Sequence, residues 1–298
     1  MALKLAVIIN PISGKHGRRP ESGSIRYEHA RRLIDRPEIE ADVVLTTACG
    51  HAAALAREYA ARAFDVVVAW GGDGTVNEVA GPLAGTRTAL GVIPSGSGDG
   101  LAKGLGLPLT PDAALRAAID GPDAAIDVGY LGERHFLNMG GIGFDAAVAT
   151  AFNQRKARGG LAYLTGSVGA VWSYPTERYR VQFDGQTREG ELFLIAFANG
   201  RQYGNGIVLA ADADPRDGLL DLVLVDGGAA WRQIWRSRRL FIGRSKPTAG
   251  LQRTRIRTAA VTGERLICHV DGETFEASGT LAVRVAPRAL RVRGLRGS

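Results

Sequence analysis

The sequence predicts a parallel α/β domain followed by a domain built mainly of β-strands. In the first third of the chain, short apolar runs alternate with alanine-rich helical stretches, an order typical of a parallel sheet covered by helices. Several of those runs are apolar throughout, which fits strands buried on both faces. After about Asp127 strand-like runs dominate and helical stretches become few, which predicts a β-sandwich.

The first domain is expected to alternate strand and helix in regular order. Its predicted strands cover residues 5–9, 41–45, 66–70 and 89–93, and its predicted helices cover residues 28–34, 52–63 and 76–83. In a parallel sheet the loops that follow the strands share one edge, where ligands bind. We therefore expect the loops after these strands to form one site.

The second domain is expected to be rich in strands. Its predicted strands cover residues 136–139, 179–183, 191–198, 220–225, 259–262, 265–270 and 281–285, and its predicted helices cover residues 146–151, 161–172 and 231–242. We place the nucleotide-binding domain at residues 1–127 and the β-rich domain at residues 128–285. The last residues, about 286–298, are expected to return to the first domain.

Composition and charge narrow the class of protein. The 298 residues are 45% hydrophobic and 22% charged, the balance of a globular protein rather than a disordered one. A net charge of +7 suits an anionic partner such as nucleic acid, an acidic membrane or a phosphate-bearing substrate. The two isolated cysteines, Cys49 and Cys268, favour a reducing compartment. Because no run approaches the ~18 apolar residues of a membrane span, we expect a cytoplasmic protein that touches the inner face of the membrane only peripherally.

The sharpest motif is Gly71-Gly72-Asp73-Gly74-Thr75, which follows a buried strand and opens a helix. Glycines at such a junction let backbone N–H groups face a phosphate, and the helix N-terminus adds partial positive charge. Thr75 offers a hydroxyl, and Asp73 can bind Mg²⁺ directly or through water. A plain strand–helix turn with an Asp N-cap is the alternative, which three glycines around the Asp make the weaker one.

Two further loops follow strands of the same predicted sheet. One spans residues 93–102 and is rich in Gly and Ser, and the other spans residues 10–14. The chain lacks a Walker A motif, and the spacing of its glycines does not fit a dinucleotide fingerprint. Several loops on one edge predict a cleft that binds a nucleotide phosphate.

Taken in order, these motifs resemble the diacylglycerol kinase and sphingosine kinase catalytic family, and they look most like the small bacterial members. The resemblance rests on NPISG at 10–14, GGDGTVNEV at 71–79, PSGSGDGLA at 94–102, NMGGIGFDA at 138–146, the stretch from 199 that ends in DGLLDL, and VDGE at 270–273. It implies a Rossmann-like α/β domain and a β-sandwich domain with the nucleotide cleft between them. It also implies an ATP-dependent enzyme of phospholipid biosynthesis that moves the γ-phosphate of ATP to a lipid hydroxyl, with diacylglycerol as the leading substrate.

The resemblance also implies roles for particular residues. Positions matching nucleotide contacts are Asn10, Thr46, Gly71, Gly72, Asp73, Gly74, Thr75, Val76, Asn77 and Ser97. Asp73 and Asp127 match carboxylates of a water-mediated Mg²⁺ network at the phosphates. A second, structural Mg²⁺ site is implied at Asp214, Asp217 and the backbone carbonyl of Leu219. Glu273 matches the proton acceptor, and Asp73 is the rival base.

The position of Glu273 also makes chemical sense. Phosphoryl transfer to an alcohol needs a carboxylate that accepts the hydroxyl proton. Glu273 and Asp271 flank Gly272, a pattern typical of a tight turn between strands. The alternative is a solvated hairpin tip with two exposed acids.

One departure from the family concerns the serine-rich loop. Bacterial diacylglycerol kinases usually carry Asn-Asp where this chain carries Asp99-Gly100. The expected Mg²⁺ network therefore lacks one carboxylate unless Asp99 substitutes from one residue earlier. The local pattern leans toward sphingosine and ceramide kinases, so a sphingoid base or ceramide is the alternative substrate.

The basic segment from Trp231 to Arg257 contains no acidic residue and carries tryptophans at near-helical spacing. Such a segment could lie on an anionic membrane, although an ordinary amphipathic helix is an equal alternative. No motif supports nucleic-acid binding. The rival functions are a soluble-substrate kinase of the NAD kinase type and a non-catalytic nucleotide-binding protein. The oligomeric state stays open, with a homodimer among the states that the sequence allows.

Overall fold

The computed structural model describes residues 2–14, 22–96, 98–144, 146, 176–204, 207–208, 210, 212–228 and 250–295. The chain divides into two compact units, of which the first holds Met1–Val128 and Pro287–Ser298 and the second holds Gly129–Ala286. The predicted helices over residues 161–172 and 231–242 lie outside the described residues, as does all of the helix predicted at 146–151 except Ala146. Among the described helices, none is long and apolar enough to cross a membrane.

The first unit is built on a parallel sheet. Its strands are β1 Leu3–Ile9, β2 Ile39–Leu45, β3 Val66–Gly71 and β4 Ala89–Pro94. They lie in the order β2-β1-β3-β4 and run in the same direction. Every residue of β3 and β4 is buried, which explains why these runs are apolar throughout. The predicted parallel α/β fold is confirmed.

Helices cover both faces of this sheet. They are α1 Ser22–Ile34, α2 His51–Ala61, α3 Asp73–Leu83, α4 Gly100–Gly104 and α5 Pro111–Asp120. On one face α1 and α5 share a hydrophobic cluster with Leu5 and Val7. Strand alternation turns Ala6 and Ile8 to the other face, where α2 and α3 pack and both residues are fully buried. The sequence prediction missed α4 and α5 and began α1 at residue 28.

The second unit is a β-structure with long central strands. Its strands are β5 Asp123–Leu131, β6 Arg134–Phe136, β7 Met139–Gly143, β8 Glu177–Phe183, β9 Gln186–Ala198, β10 Gln202–Gly204, β11 Ile207–Val208, β12 Leu220–Asp226, β13 Leu251–Ile256, β14 Thr258–Val270 and β15 Glu273–Arg293. Of these, β5 begins and β15 ends in the first unit. β9 pairs with β12 on one side and with β7 and β8 on the other, and both β7 and β8 also pair with β14. β13 continues the sheet beyond β12, and β15 continues it beyond β14.

Two hydrophobic clusters lie on opposite faces of β9 and β12. Leu222 and Phe197 belong to the first cluster, together with Phe136 and side chains of β14. Val223 and Ala196 belong to the second cluster. Because neighbouring residues of a strand point to opposite faces, these two strands are buried on both sides. The predicted β-sandwich is confirmed.

The strands near the end of the chain differ from the prediction. Residues 259–262 and 265–270 form one strand, β14, with an irregularity between Gly263 and Leu266. β15 runs far beyond the predicted 281–285, and its small and polar residues explain why the apolar pattern missed it. Near its end, Val292 pairs in parallel with Leu90 of β4, so the end of the chain adds a strand to the sheet of the first unit.

Candidate functional site

Three loops meet at the edge of the first unit where β1, β3 and β4 end. We call residues 10–14 the asparagine loop, residues 71–75 the GGDGT loop and residues 95–99 the serine loop. The side-chain amide of Asn10 donates to Thr75 Oγ1 at 3.0 Å. The hydroxyls of Ser13 and Ser95 are 2.8 Å apart. The three loops predicted to share an edge are therefore hydrogen-bonded to one another, while Ser97 lies outside the described residues.

The GGDGT loop turns tightly from β3 into α3. A Cβ added at Gly71 would lie 2.4 Å from the Thr75 side chain, so only glycine fits there. The helix begins at Asp73 with Gly72 as its N-cap residue; its first turn continues through Gly74, Thr75 and Val76, and Asn77 follows. The first N–H groups of a helix lack intrahelical acceptors and carry partial positive charge. The loop can therefore bind an anion such as a phosphate.

Asp73 joins the GGDGT loop to the start of α4. Its Oδ2 accepts the N–H of Asp99 at 3.0 Å, and its Oδ1 accepts the N–H of Gly100 at 2.7 Å. A Cβ added at Gly98 would lie 2.6 Å from Asp73 Oδ2, so a larger residue there would displace this carboxylate. The carboxylate that the sequence assigned to metal binding or proton acceptance thus also positions the neighbouring loop.

Asp99 lies at the point where the chain departs from the family pattern. Its backbone adopts the left-handed conformation with φ of 49°, and its Oδ1 accepts the N–H of Gly96 at 2.8 Å. Burial raises the pKa of the Asp99 carboxyl, the Gly96 N–H lowers it, and the charge of Asp73 raises it further. Two carboxylates, Asp73 and Asp99, therefore face each other across the two loops.

An arginine that the sequence analysis did not single out fixes the asparagine loop. Arg26 of α1 donates from Nη1 to the Asn10 carbonyl at 2.8 Å and to Ser13 Oγ at 2.7 Å, and from Nη2 to the Ser13 carbonyl at 2.7 Å. Burial lowers the pKa of this guanidinium. In the sequence Arg26 looks like one more solvated charge of an amphipathic helix, so no local signal marks it.

Thr46 and Asp127 occupy separate positions in the first unit. Thr46 directly follows β2, and its N–H donates to the Ile9 carbonyl at 2.8 Å, which places it beside the end of β1. Asp127 is fully buried in β5 and accepts the N–H of Arg288 at 2.7 Å. Arg288 has a φ of 51°, so the buried carboxylate also stabilises a left-handed residue near the end of the chain.

In the second unit, Glu273 is the first residue of β15, directly after a two-residue turn. Asp271 and Gly272 form this turn with φ of 46° and 90°, and Val270 pairs with Glu273 across it. Positive φ at both residues is typical of the type I′ hairpin, for which Asp-Gly is a favoured sequence. The tight turn predicted from VDGE is therefore present, and the side chain of Glu273 is exposed.

Asp271 is a structural anchor that the sequence analysis missed. Its Oδ2 accepts the N–H of Leu137 at 2.7 Å, and its Oδ1 accepts the N–H groups of Asn138 and Met139, both at 2.9 Å. The turn before Glu273 is thus tied to the segment between β6 and β7. The predicted alternative of a solvated tip with two exposed acids fails for Asp271, because this carboxylate binds three backbone groups.

The turn before β12 carries the residues predicted to hold a structural Mg²⁺. Asp217 Oδ1 accepts the N–H of Leu219 at 2.9 Å, and Asp217 Oδ2 lies 3.9 Å from Nη1 of Arg255. The Asp214 carboxylate lies 3.8 Å from Nε of Arg216. Both carboxylates thus face guanidinium groups. Within the part of the chain that the structure describes, no three His, Cys, Asp or Glu side chains cluster so that they could hold a metal ion.

Comparison with known proteins follows the same division of the chain. Residues 4–131 match the diacylglycerol kinase catalytic domain, and residues 139–294 match the YegS C-terminal NAD kinase beta sandwich-like domain. A relative from Pseudomonas aeruginosa strain UCBPP-PA14, described as a probable lipid kinase YegS-like, is 34% identical over 282 residues, covering 93% of this chain and 91% of the relative. A relative of the same description from Chromohalobacter salexigens is 41% identical over 191 residues, covering 62% of this chain and 61% of that relative.

Solved structures have the same fold. A crystal structure described as a diacylglycerol kinase from Bacillus anthracis strain Sterne aligns with a TM-score of 0.73 at 20% identity, covering 97% of this chain and 96% of that one. Fold and motifs together define a kinase, a phosphotransferase that acts on an alcohol group and uses ATP as co-substrate. Within that class, the chain belongs to the YegS-like lipid kinase family with a diacylglycerol kinase catalytic domain. The predicted resemblance and enzyme class are confirmed.

Proposed function

We propose that this enzyme transfers the γ-phosphate of ATP to the free hydroxyl of diacylglycerol, forming phosphatidate and ADP. The observation that carries the proposal is the set of hydrogen bonds joining the asparagine, GGDGT and serine loops at one sheet edge. Catalysis of phosphoryl transfer depends mainly on positioning and charge stabilisation. Loops fixed to one another, beside the N-terminus of α3, are suited to both tasks.

In this proposal the GGDGT loop and the start of α3 bind the ATP phosphates. The backbone N–H groups of the first helical turn supply donors, and the helix dipole favours the negative charge. The Thr75 hydroxyl oxygen accepts a hydrogen bond from the Asn10 side-chain amide, so the hydroxyl can donate its own hydrogen to a phosphate oxygen. Thr46, beside the end of β1, and Ser97 complete the proposed nucleotide contacts.

Mg²⁺ fits the acids of these loops. Mg²⁺ in kinases is usually bound by one or two carboxylates together with waters and substrate phosphates. Asp73 and Asp99 supply two carboxylates, and each keeps lone pairs beyond the N–H groups that it accepts. When bound there, the ion would neutralise charge on the phosphates. We propose Asp99 as the substitute for the carboxylate missing at Gly100, with the buried Asp127 as a further member of the network.

Glu273 is proposed as the proton acceptor. The lipid hydroxyl oxygen forms a bond to the γ-phosphorus, the bond from that phosphorus to the β–γ bridging oxygen breaks, and ADP leaves with the bond electrons. The hydroxyl proton passes to the Glu273 carboxylate. Glu273 is favoured over Asp73 because its side chain is exposed, whereas the Asp73 carboxylate is assigned to Mg²⁺ and to positioning the serine loop. The turn anchored by Asp271 holds the Glu273 backbone in place.

A sphingoid base or ceramide is the second candidate substrate, and one observation favours it. At Gly100, where bacterial diacylglycerol kinases carry Asp, the structure has only a backbone N–H that donates to Asp73. Incubating the full chain with γ-labelled ATP and total lipid extract, then separating the lipids by chromatography, identifies which lipid gains phosphate. Purified diacylglycerol, sphingosine, ceramide and NAD serve as separate substrates. Label in NAD and in no lipid would refute the lipid-kinase proposal.

Paired variants test the catalytic roles. Glu273→Gln should reduce kcat by at least ~10²-fold while unfolding at the parent temperature, since general-base catalysis contributes about 10²–10⁴-fold. Glu276→Gln is the matched control, because Glu276 is an exposed acid of the same strand that pairs with Arg265 at 2.8 Å. It should keep parent activity. If Glu273→Gln also kept parent activity, Glu273 would not be the base. If no variant and no parent enzyme turned over any substrate, the non-catalytic alternative would be favoured.

Asp73→Asn tests the metal role separately. The introduced asparagine side chain would keep one acceptor oxygen, but its NH₂ group would face the backbone N–H of either Asp99 or Gly100, two donors that repel each other. We expect lower thermal stability, lower kcat and a higher Mg²⁺ concentration for half-maximal rate. An unchanged Mg²⁺ dependence would limit Asp73 to positioning the serine loop.

We also propose that the segment from Trp231 to Arg257 brings the enzyme to an anionic membrane. Within it, residues 231–249 lie outside the described residues, and Arg253 and Arg255 pair with acids of the second unit. The contact would therefore depend on the earlier arginines and the tryptophans. Vesicle co-sedimentation with and without phosphatidylglycerol tests it, and equal recovery on neutral vesicles would refute an electrostatic contact.

A further inference from the structure

The acidic turn before β12 is packed beside two arginines of β13. The turn and the start of β12 carry Asp212, Asp214, Asp217 and Asp221. In the antiparallel pairing of β12 with β13, Asp221 lies opposite Arg255, and Val223 lies opposite Arg253. Because alternate residues of a strand share a face, the two arginines project on the same side as Asp221. The register of the sheet itself thus brings cations to the acids.

Each arginine bridges more than one acid. Arg253 Nε lies 3.0 Å from Asp221 Oδ1, and its Nη1 lies 3.4 Å from Asp212 Oδ2. Arg255 Nε lies 4.0 Å from the same Asp221 oxygen, and its Nη1 lies 3.9 Å from Asp217 Oδ2. Its Nη2 also donates to the carbonyl of Asp212 at 3.4 Å. The guanidinium groups therefore make a connected network rather than isolated surface pairs.

Burial of Asp221 makes this network important for the stability of the fold. The Asp221 side chain is only 6% exposed, so its charge needs a partner close at hand. Removing one member of a buried pair leaves an uncompensated charge and is strongly destabilising. Arg253 supplies the close partner in a charge-assisted hydrogen bond. Two arginines and three acids nearly balance in charge at this point.

The same contacts disfavour a divalent cation at the turn. Mg²⁺ keeps several of its waters and takes one or two carboxylates, so the charge around the carboxylates decides here rather than their number. At Asp217, one carboxylate oxygen accepts the Leu219 N–H and the other faces Arg255, while Asp214 faces Arg216. A cation bound here would meet the positive charge of Arg255 close by. The guanidinium groups beside the residues predicted to form the structural Mg²⁺ site therefore disfavour that ion.

We propose that Arg253 and Arg255 replace the structural divalent cation, so that guanidinium groups of β13 hold the acidic turn against β12 in this chain. The proposal is independent of the lipid substrate and of the catalytic assignments. It means that the fold of the second unit does not depend on Mg²⁺ or Ca²⁺. Any Mg²⁺ requirement of the enzyme then arises with the nucleotide.

The test uses the full chain without nucleotide. Mn²⁺ binding is measured by electron paramagnetic resonance, and thermal unfolding is followed in EDTA, in Mg²⁺ and in Ca²⁺. A cation held at 100 times its dissociation constant would raise the unfolding temperature by on the order of 5–10 °C. We expect the parent chain to gain no Mn²⁺ binding that depends on Asp217, and to unfold at the same temperature in all three buffers. Cation stabilisation abolished by Asp217→Asn would overturn the proposal.

Arginine variants complete the test. Arg255→Gln removes a half-exposed guanidinium and should lower the unfolding temperature in EDTA, with Mg²⁺ or Ca²⁺ restoring part of the loss. Arg253→Gln should cost more, because its partner Asp221 is buried. Arg265→Gln is the matched control, since Arg265 pairs with the exposed Glu276, and it should change neither stability nor Mn²⁺ binding appreciably. If both β13 variants unfolded at the parent temperature, the arginines would not hold the turn, and the proposal would fail.

Discussion

Removing the Asp271 carboxylate should loosen the hairpin that carries Glu273. In Asp271→Ala, the N–H groups of Leu137, Asn138 and Met139 lose their acceptor. Leu137 and Met139 are buried, and an unsatisfied buried donor costs about 1–3 kcal/mol. Two such donors give a loss of about 2–6 kcal/mol in the free energy of unfolding. At ~2–4 °C per kcal/mol, the unfolding temperature should fall by at least ~4 °C.

Asp271→Asn should fall between the parent and the alanine variant. Asn keeps one oxygen for two of the donors and tolerates the φ of 46°, but its NH₂ group opposes the third N–H. The matched control is Asp184, which forms a second Asp-Gly turn between β8 and β9 with φ of 42°. Asp184 is exposed, and its carboxylate accepts no hydrogen bond from the described residues.

Differential scanning calorimetry of the four variants, Ala and Asn at each turn, decides the question. Each substitution changes the same turn chemistry, so the difference between the two turns isolates the three hydrogen bonds of Asp271. Kinase activity should fall with Asp271→Ala because the Glu273 backbone loses its anchor. If the unfolding temperature dropped equally at both turns, the reasoning from those hydrogen bonds would be refuted.

Three further outcomes are expected. Gly14→Ala should cost at least about 1–2 kcal/mol in the free energy of unfolding and raise KM for ATP, because φ is +77° and the added Cβ would lie 2.0 Å from a carbonyl oxygen of the serine loop. Gly50→Ala is the control, because φ is +79° there but the added Cβ meets open space. It therefore measures the cost of backbone strain without a steric clash. Burial raises the pKa of the Cys268 thiol to about 12, so a thiol reagent should label Cys49 alone until the protein unfolds. Burial also raises the pKa of the Asp99 carboxyl above its ordinary value, so ionisation of this group disfavours the folded state as pH rises from the ordinary pKa to the raised one. Asp99→Asn should therefore gain stability relative to the parent as pH rises through that interval, as measured by thermal unfolding at each pH.

The sequence predicted the central strands of the first unit well, because burial on both faces demands continuous apolar runs. β3 was predicted over residues 66–70 and spans Val66–Gly71. β15 was predicted only at 281–285, because most of its outward-facing residues are polar or small. Its position depends on pairing with β14 rather than on its own pattern. Long-range pairing of this kind leaves little trace in local periodicity.

In the candidate site, too, some features could be predicted from the sequence and others could not. Glycine-rich loops leave a local signature, since a close approach such as Gly14 against the Ser95 carbonyl excludes any side chain. The residues that anchor those loops leave no such local signature in the sequence. Arg26 reaches back to the asparagine loop from a helix, and Asp271 binds backbone groups more than 130 residues earlier in the chain. Ordinary charged residues acquire such roles only through tertiary placement.

The closing strand of the chain also governs when the enzyme can fold during synthesis. The first unit is complete only when the end of β15 lies beside Leu90, when Ala289 accepts the Gly85 N–H and when Arg288 reaches Asp127. A ribosome would take on the order of ten seconds to synthesise the intervening residues. During that time β4 of the nascent chain presents an unpaired apolar edge, the kind of surface that invites aggregation or chaperone binding. Fusing residues 287–295 ahead of the amino terminus, in a circular permutant, would let the first unit mature before the second unit emerges.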